Sequence, residues 1–329
     1  MTFYLILSFS VFFISLIGTK LVILTIQNRP VSPNIELITG KRKLPPAANG
    51  GIALVFSCII GLLGTEIDYR VILSIFLLMG FSLLNNITKL PVSLKLIIRL
   101  IAVIIPVSIF DFPIFSGFAT PFFDKILAIS LWLWIIHSFE KLEKVEGMLP
   151  IQIISIGLGL SAITILSEKF FSPLSIQSLI FSTAGAGFLW WNFYPAKVLA
   201  GDIASVPCGF IAGYLLLFAA SSGYPEAAII LPAYFLADSA ITFFNRPFSE
   251  KLEKNKKPKP RPLFCFRAII NSRSPEWITR TIAGINMLLV LLEAQILISP
   301  QMSLFNVAMA YAMVFTSIWF FARMINRSL

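Results

Sequence analysis

Apolar blocks close to the ~20 residues that an α-helix needs to cross a bilayer recur from one end of this chain to the other. A chain built this way has few choices. Inside hydrocarbon every backbone polar group must be satisfied within the segment, so each block folds as a helix. The composition agrees: 57% of the residues are hydrophobic, against about 45–50% in soluble domains. The excess lies in the blocks rather than in scattered core positions. The expected fold is therefore all-α, a polytopic membrane protein in one domain over residues 1–329. Eleven spans are read at about 2–26, 49–66, 69–85, 93–112, 122–139, 150–167, 175–192, 203–220, 226–245, 277–298 and 302–322. The first block is long and has no basic stretch before it, so it is expected to remain as an uncleaved helix. Cys58, Cys208 and Cys265 show no metal or redox spacing and read as plain thiols.

Loop charges set the orientation, because cytosolic loops collect Lys and Arg. Arg29, Lys41, Arg42 and Lys43 follow span one. Lys89 and Lys95 surround the loop after span three, Lys141 and Lys144 follow span five, and Lys197 follows span seven. The loop at 246–276 carries the densest basic run, including Lys254, Lys256, Lys257, Lys259, Arg261 and Arg267. Arg323 and Arg327 lie in the tail, and the intervening loops hold only Arg70, Lys125 and Lys169. The N-terminus is thus expected outside and the C-terminus in the cytosol. This accounts for most of the +10 net charge through topology, with attraction of an anionic substrate or of membrane lipid headgroups as the alternative. Nucleic acid is not expected as a partner, because no stacking aromatics accompany the basic run.

The polar clusters all fall on that basic side. They are Asn49-Gly50-Gly51, Asn85-Asn86, the stretch Glu140 to Gly147, the stretch Asn192 to Asp202, and Asp238 onward into the basic loop. Polar and ionisable residues are costly among apolar helices and usually mark a polar substrate or ion. Each cluster also has a plainer reading. Gly50-Gly51 permits close helix packing, Asn85-Asn86 caps a helix end, and Glu143 and Glu146 share a solvated helical face if their loop is helical. His137, the sole histidine, reads as a hydrogen-bonded residue at a span end.

The order of these loops, and above all Asn192-X-X-Pro195-Ala196-Lys197…Gly201-Asp202, resembles the polyprenyl-phosphate sugar-1-phosphate transferases. These are membrane glycosyltransferases of family 4, of the phospho-N-acetylmuramoyl-pentapeptide and undecaprenyl-phosphate N-acetylglucosamine-1-phosphate transferase types. The resemblance covers roughly residues 40 to 280. It implies ten or eleven spans in the cytoplasmic (inner) membrane, a cytosolic active site, and a homodimer as one permitted assembly. It also implies transfer of a sugar-1-phosphate from a UDP-sugar to polyprenyl (undecaprenyl) phosphate with Mg²⁺ and release of UMP, a step in cell-envelope polysaccharide synthesis. Asp202 takes the place of a magnesium ligand, and Glu143 and Glu146 stand where the family has two further aspartates. Asn85 and Asn86 stand where it has paired aspartates. Asn192, Lys197, Arg261 and Arg267 are expected to contact substrate. The chain departs from the pattern at both asparagines, at His137 in place of an asparagine, at Ala204 in place of a glycine, and at two loop histidines that are missing before Arg267. A glutamate is one methylene longer than an aspartate, and an amide brings no charge. Two other readings therefore stand beside the enzyme: a binding or scaffold protein on the same fold, and a transporter.

Overall fold

The computed structural model describes residues 2–26, 49–88, 90–111, 114, 120–167, 172–244, 275–298 and 303–326. Among them are twelve helices and no strand. We number them α1 (Thr2–Ile26), α2 (Ile52–Leu63), α3 (Tyr69–Thr88), α4 (Val92–Val107), α5 (Pro121–Leu142), α6 (Met148–Leu166), α7 (Pro173–Asn192), α8 (Asp202–Ser221), α9 (Pro225–Ile230), α10 (Ala233–Phe244), α11 (Pro275–Ile298) and α12 (Ser303–Asn326). Six of them, α1, α3, α5, α6, α8 and α11, are long and apolar enough to cross a membrane by length and composition. The chain is a multi-pass membrane protein.

Local chemistry sets the helix boundaries. Pro121 and Pro173 sit in the first turns of α5 and α7, where the missing N–H costs nothing. The Ser172 hydroxyl caps α7 by accepting from the Ser175 N–H at 3.2 Å. Gly147 (φ 79°) and Gly201 (φ 75°) precede α6 and α8 and turn the chain sharply into them.

One expected span differs. The block at 226–245 is not a continuous helix but α9 and α10, separated at Leu231-Pro232. Proline has no N–H to donate and its ring crowds the preceding turn, so the apolar run continues while the helix does not. The other ten expected spans each coincide with one helix to within a few residues.

The buried apolar side chains of the described helices form one continuous core. Its axis is α8: 94% of its apolar window is buried, against 28% for α1, which lies at the periphery. The α5–α8 contact shows why the packing is specific. Trp132 of α5 is fully buried, stacks on Phe210 of α8 with ring centroids 5.0 Å apart, and donates its indole N–H to the Phe210 carbonyl at 2.9 Å. An indole buried in this way needs such a partner. Because α8 is anchored on both sides, its first residue, Asp202, is held at a fixed depth.

Candidate active site

Four of the five polar clusters meet at one end of the bundle. The loop between α7 and α8, residues 193–201, is the centre of the arrangement. It is held from three directions, each time through backbone groups that a buried loop must satisfy.

The first hold is Asn192, the last residue of α7. Its Oδ1 accepts from the Gly147 N–H at 2.9 Å and its Nδ2 donates to the Val198 carbonyl at 2.8 Å. The side chain is 2% exposed. It thus ties the α5–α6 loop to the α7–α8 loop. It was expected to contact substrate; the amide is instead engaged with backbone at both ends.

The second hold is the α5–α6 loop itself. Glu143 and Glu146 do not share a helical face, because α5 ends at Leu142 and the chain turns from there to Gly147. The two carboxylates diverge along the neighbouring loop. Glu146 is buried, its Oε2 accepts from the Ala196 N–H at 2.8 Å, and its carbonyl accepts from the Thr279 hydroxyl of α11 at 2.9 Å. These bonds make Glu146 a brace for the neighbouring loop. Glu143 turns to the other end, where the Gly201 N–H next to Asp202 favours its charged form.

The third hold is the segment before α2. The Gly50 N–H donates to the Leu199 carbonyl at 2.8 Å and the Gly51 N–H to the Ala200 carbonyl at 3.1 Å. A Cβ on Gly50 would run into Val198, and one on Gly51 into Ala204 and the Ala200 carbonyl. The paired glycines therefore serve a backbone-to-loop approach rather than only helix packing. Gly201, with φ 75° and ψ 166°, occupies backbone space that is open almost only to glycine, and a Cβ there would meet Asn49. Gly201→Ala is expected to lower stability by about 1–3 kcal/mol from backbone strain alone. Thermal unfolding of the detergent-solubilised protein reads the loss, and an unchanged midpoint would contradict the close approach of Asn49.

Asp202 and Glu143 form a carboxylate pair at the point where these holds converge. Glu143 lies outside the membrane spans. Burial first, and the negative charge of Asp202 second, push its carboxyl up to about 8, although Lys144 and the Gly201 N–H pull the other way. Its Oε2 is buried without a hydrogen-bond partner. The Asp202 charge makes ionisation of Glu143 more costly, and a cation between them would lift that cost. Mg²⁺ typically takes one or two protein carboxylates and completes its shell with water and substrate phosphates. Among the described residues no group of three or more His, Cys, Asp or Glu side chains gathers as a metal site. The two-carboxylate arrangement suits an ion shared with a substrate.

A small cleft opens beside Asp202, lined by Leu78, Phe81, Ser82 and Asn85 of α3, Lys95 and Arg99 of α4, and Val206 of α8. Asn85 is buried and accepts from the Leu90 N–H at 3.2 Å, closing the turn after α3, whereas Asn86 is exposed and lines no part of the cleft. Lys197 is exposed, with its ammonium 4.9 Å from the centre of the Trp191 ring. Asp238 is buried in α10, and the neighbouring Ser239 lies 3.5 Å from the Lys141 ammonium. Arg261 and Arg267, with most of the basic loop, lie outside the described residues.

Arg99 has no part in the polar clusters of the sequence, and Glu140 appears there only as the start of a polar stretch. Arg99 is buried and its Nη1 donates to Glu140 Oε2 at 2.9 Å. His137 Nδ1 stands 3.6 Å from that same oxygen. An arginine within the apolar α4 is itself a signal, and its partner, 41 residues away in sequence, appears only on folding.

Residues 68–220 match the model of glycosyl transferase family 4. The chain is 26% identical over 204 residues to a probable undecaprenyl-phosphate N-acetylglucosaminyl 1-phosphate transferase of Bacillus subtilis, with 57% of this chain and 55% of the relative aligned. It is 24% identical over 255 residues to the phospho-N-acetylmuramoyl-pentapeptide-transferase of Nitratiruptor sp., covering 66% and 71% of the two. To the protein of that same name from Orientia tsutsugamushi it is 29% identical over 210 residues, covering 50% and 57%. The chain thus spans little more than half the length of two of these curated relatives. The matched segment runs from just before α3 to the last turn of α8, and so contains Asn85, Glu143, Asn192 and Asp202 together. Over residues 68–220 the chain is similar to glycosyl transferase family 4, and the relatives it matches are phospho-sugar transferases by name.

Proposed function

We propose that this protein transfers a sugar-1-phosphate, of the N-acetylhexosamine type, from a UDP-sugar to polyprenyl phosphate on the cytosolic face of the bacterial inner membrane. In this reaction a phosphate oxygen of the lipid attacks the sugar-bearing phosphorus of the nucleotide. The bond from that phosphorus to the bridging oxygen breaks, and UMP leaves. The product is a polyprenyl diphosphate sugar. The observation that carries the reading is the Asp202–Glu143 pair, set beside a cleft with one apolar wall and one polar end.

Phosphoryl transfer depends mainly on positioning and on neutralising charge. Asp202 and Glu143 would hold Mg²⁺, which supplies charge neutralisation on the phosphates when bound. Glu146 and Asn192 act one layer back by fixing the loop that presents Asp202. The Asn85 amide, neutral and at the cleft wall, orients a phosphate without the repulsion that a carboxylate would bring. Lys197, exposed at the outer edge of the loop, is placed to meet the nucleotide-sugar from the aqueous side. The acid pair favours an enzyme over a scaffold, since a scaffold has no use for two half-buried carboxylates whose charges oppose each other.

Membranes containing the protein are expected to release UMP from a UDP-N-acetylhexosamine when Mg²⁺ and polyprenyl phosphate are both supplied, and not when either is withheld. Absence of UMP across a panel of UDP-sugars, beside an active family member under the same conditions, would sink the reading.

A further inference from the structure

We propose that Arg99 grips the phosphate of the lipid acceptor, and that Glu140 is the positioning residue that holds the guanidinium ready. The lipid assignment rests on the transferase reading above; the phosphate-binding geometry does not.

Arg99 and Glu140 form a largely buried ion pair. Arg99 is 8% exposed, and the Arg99–Glu140 side chains are 10% and 22% exposed. Taking two charges out of water is costly, and an ion pair of this kind is weak evidence for stability. It is better explained by a task. A guanidinium carries five N–H donors in a planar fork. Among the described residues Arg99 makes one side-chain hydrogen bond, from Nη1 to Glu140. The residue also lines the cleft next to Asp202. Glu140 lies in the last turn of α5 and shares its Oε2 with His137, so the carboxylate is anchored from the far side. Glu140 therefore fixes one edge of the fork and leaves the rest for a ligand.

The cleft selects the ligand. Lys95 adds a second cation, Asn85 contributes a neutral amide, and Leu78, Phe81 and Val206 form the apolar wall. A planar cationic fork matches a phosphate through two parallel hydrogen bonds. The cleft holds only about 10 Å³ of open space, so a ligand enters by displacing the side chains that line it, and Leu78, Phe81 and Val206 among them suit the first carbons of a chain better than a ribose. On α4, Leu96, Ile97, Leu100 and Ile104 are exposed, an apolar surface along which an acceptor chain can lie. The chemistry in common is a phosphate group, which either a prenyl monophosphate or the diphosphate of a sugar nucleotide carries. The apolar wall favours the prenyl monophosphate.

The test uses the full chain purified in detergent and measures binding without turnover, by thermal stabilisation and direct titration. The ligands are farnesyl phosphate, farnesol, inorganic phosphate and UDP-N-acetylglucosamine. The wild type is expected to bind farnesyl phosphate and not farnesol. Arg99→Lys keeps a charge but loses the fork, and is expected to weaken farnesyl phosphate binding about 10- to 100-fold, with UDP-N-acetylglucosamine affinity unchanged. Glu140→Gln, which keeps a hydrogen-bond acceptor, is expected to give a smaller loss in the same direction. The exchange Arg99→Glu with Glu140→Arg re-forms the ion pair. It is expected to recover the thermal midpoint but not farnesyl phosphate binding.

If the exchanged pair recovers binding as well, the pair is only structural and the proposal falls. It also falls if Arg99→Lys binds farnesyl phosphate like the wild type, or loses only the sugar nucleotide or inorganic phosphate. Failure of the transferase reading looks different. Arg99-dependent binding of farnesyl phosphate without any UMP release would end that reading and leave the phosphate grip in place.

Discussion

Asp202→Asn is expected to reduce UMP release by about 10²- to 10³-fold, the range seen when a single preorganised charge-stabilising group is removed from a transition state. The thermal midpoint in detergent is expected to stay close to that of the wild type. The reasons lie in the geometry. Asp202 is the first residue of the most buried long helix. Among the described residues its side chain makes no hydrogen bond or ion pair within contact distance. Its electrostatic neighbours are the acid Glu140 and the cations Lys95, Arg99 and Lys144, and it raises the Glu143 carboxyl in turn. Asparagine has nearly the same shape, so it removes one charge and leaves the packing alone. Initial rates of UMP release, measured alongside unfolding curves, separate the two effects. An Asp202→Asn protein that turns over within about threefold of wild type would remove Asp202 from the chemistry.

Asn192→Leu is expected to act through structure, and more severely. Leucine has the same branched heavy-atom skeleton as asparagine but makes neither of its bonds. The Gly147 N–H and the Val198 carbonyl, both buried behind it, lose their partners. An unsatisfied buried backbone group costs about 1–3 kcal/mol, so the pair costs about 2–6 kcal/mol in all. The damage concentrates at the loop of residues 193–201, which also depends on Glu146 and on Gly50-Gly51. We therefore expect a clearly lower thermal midpoint together with loss of UMP release, in contrast to Asp202→Asn, where only the rate falls. A leucine variant with a wild-type midpoint would mean that the bridge between the two loops is not what holds them.

Those two residues also show how much the sequence could say. Both were singled out from one motif, and both were given contact with a ligand. Asp202 stands at the cleft, whereas Asn192 lies behind it with its amide engaged by two backbone groups. The glutamates divide in the same way. Glu143 turns to Gly201 and Asp202, and Glu146 turns to Ala196. Spacing three apart suggested one shared helical face. The turn after Leu142 sends the two side chains to opposite ends of a neighbouring loop. Arg99, and a role for Glu140, escaped notice for the complementary reason. Each shares its helix with another charged residue, Lys95 in α4 and Lys141 in α5, and its meaning comes from the 2.9 Å contact between the two near Asp202.

The sequence by itself determined that the chain is a set of apolar helices, close to where each one starts and stops, and which loops carry polar residues. Those properties follow from the length of an apolar run and from local caps and prolines, which act over a few residues. It did not reveal the break at Pro232, because the apolar pattern continues across it while the backbone hydrogen bonds cannot. Tertiary structure alone decided which polar side chains face the cleft and which brace it. That choice depends on the direction of each side chain and on partners tens of residues distant. It also depends on the rule that a buried loop must satisfy every backbone N–H and carbonyl it brings with it. Here that rule engages Asn192 and Glu146 in the scaffold and leaves Asp202, Glu143 and Arg99 at the site.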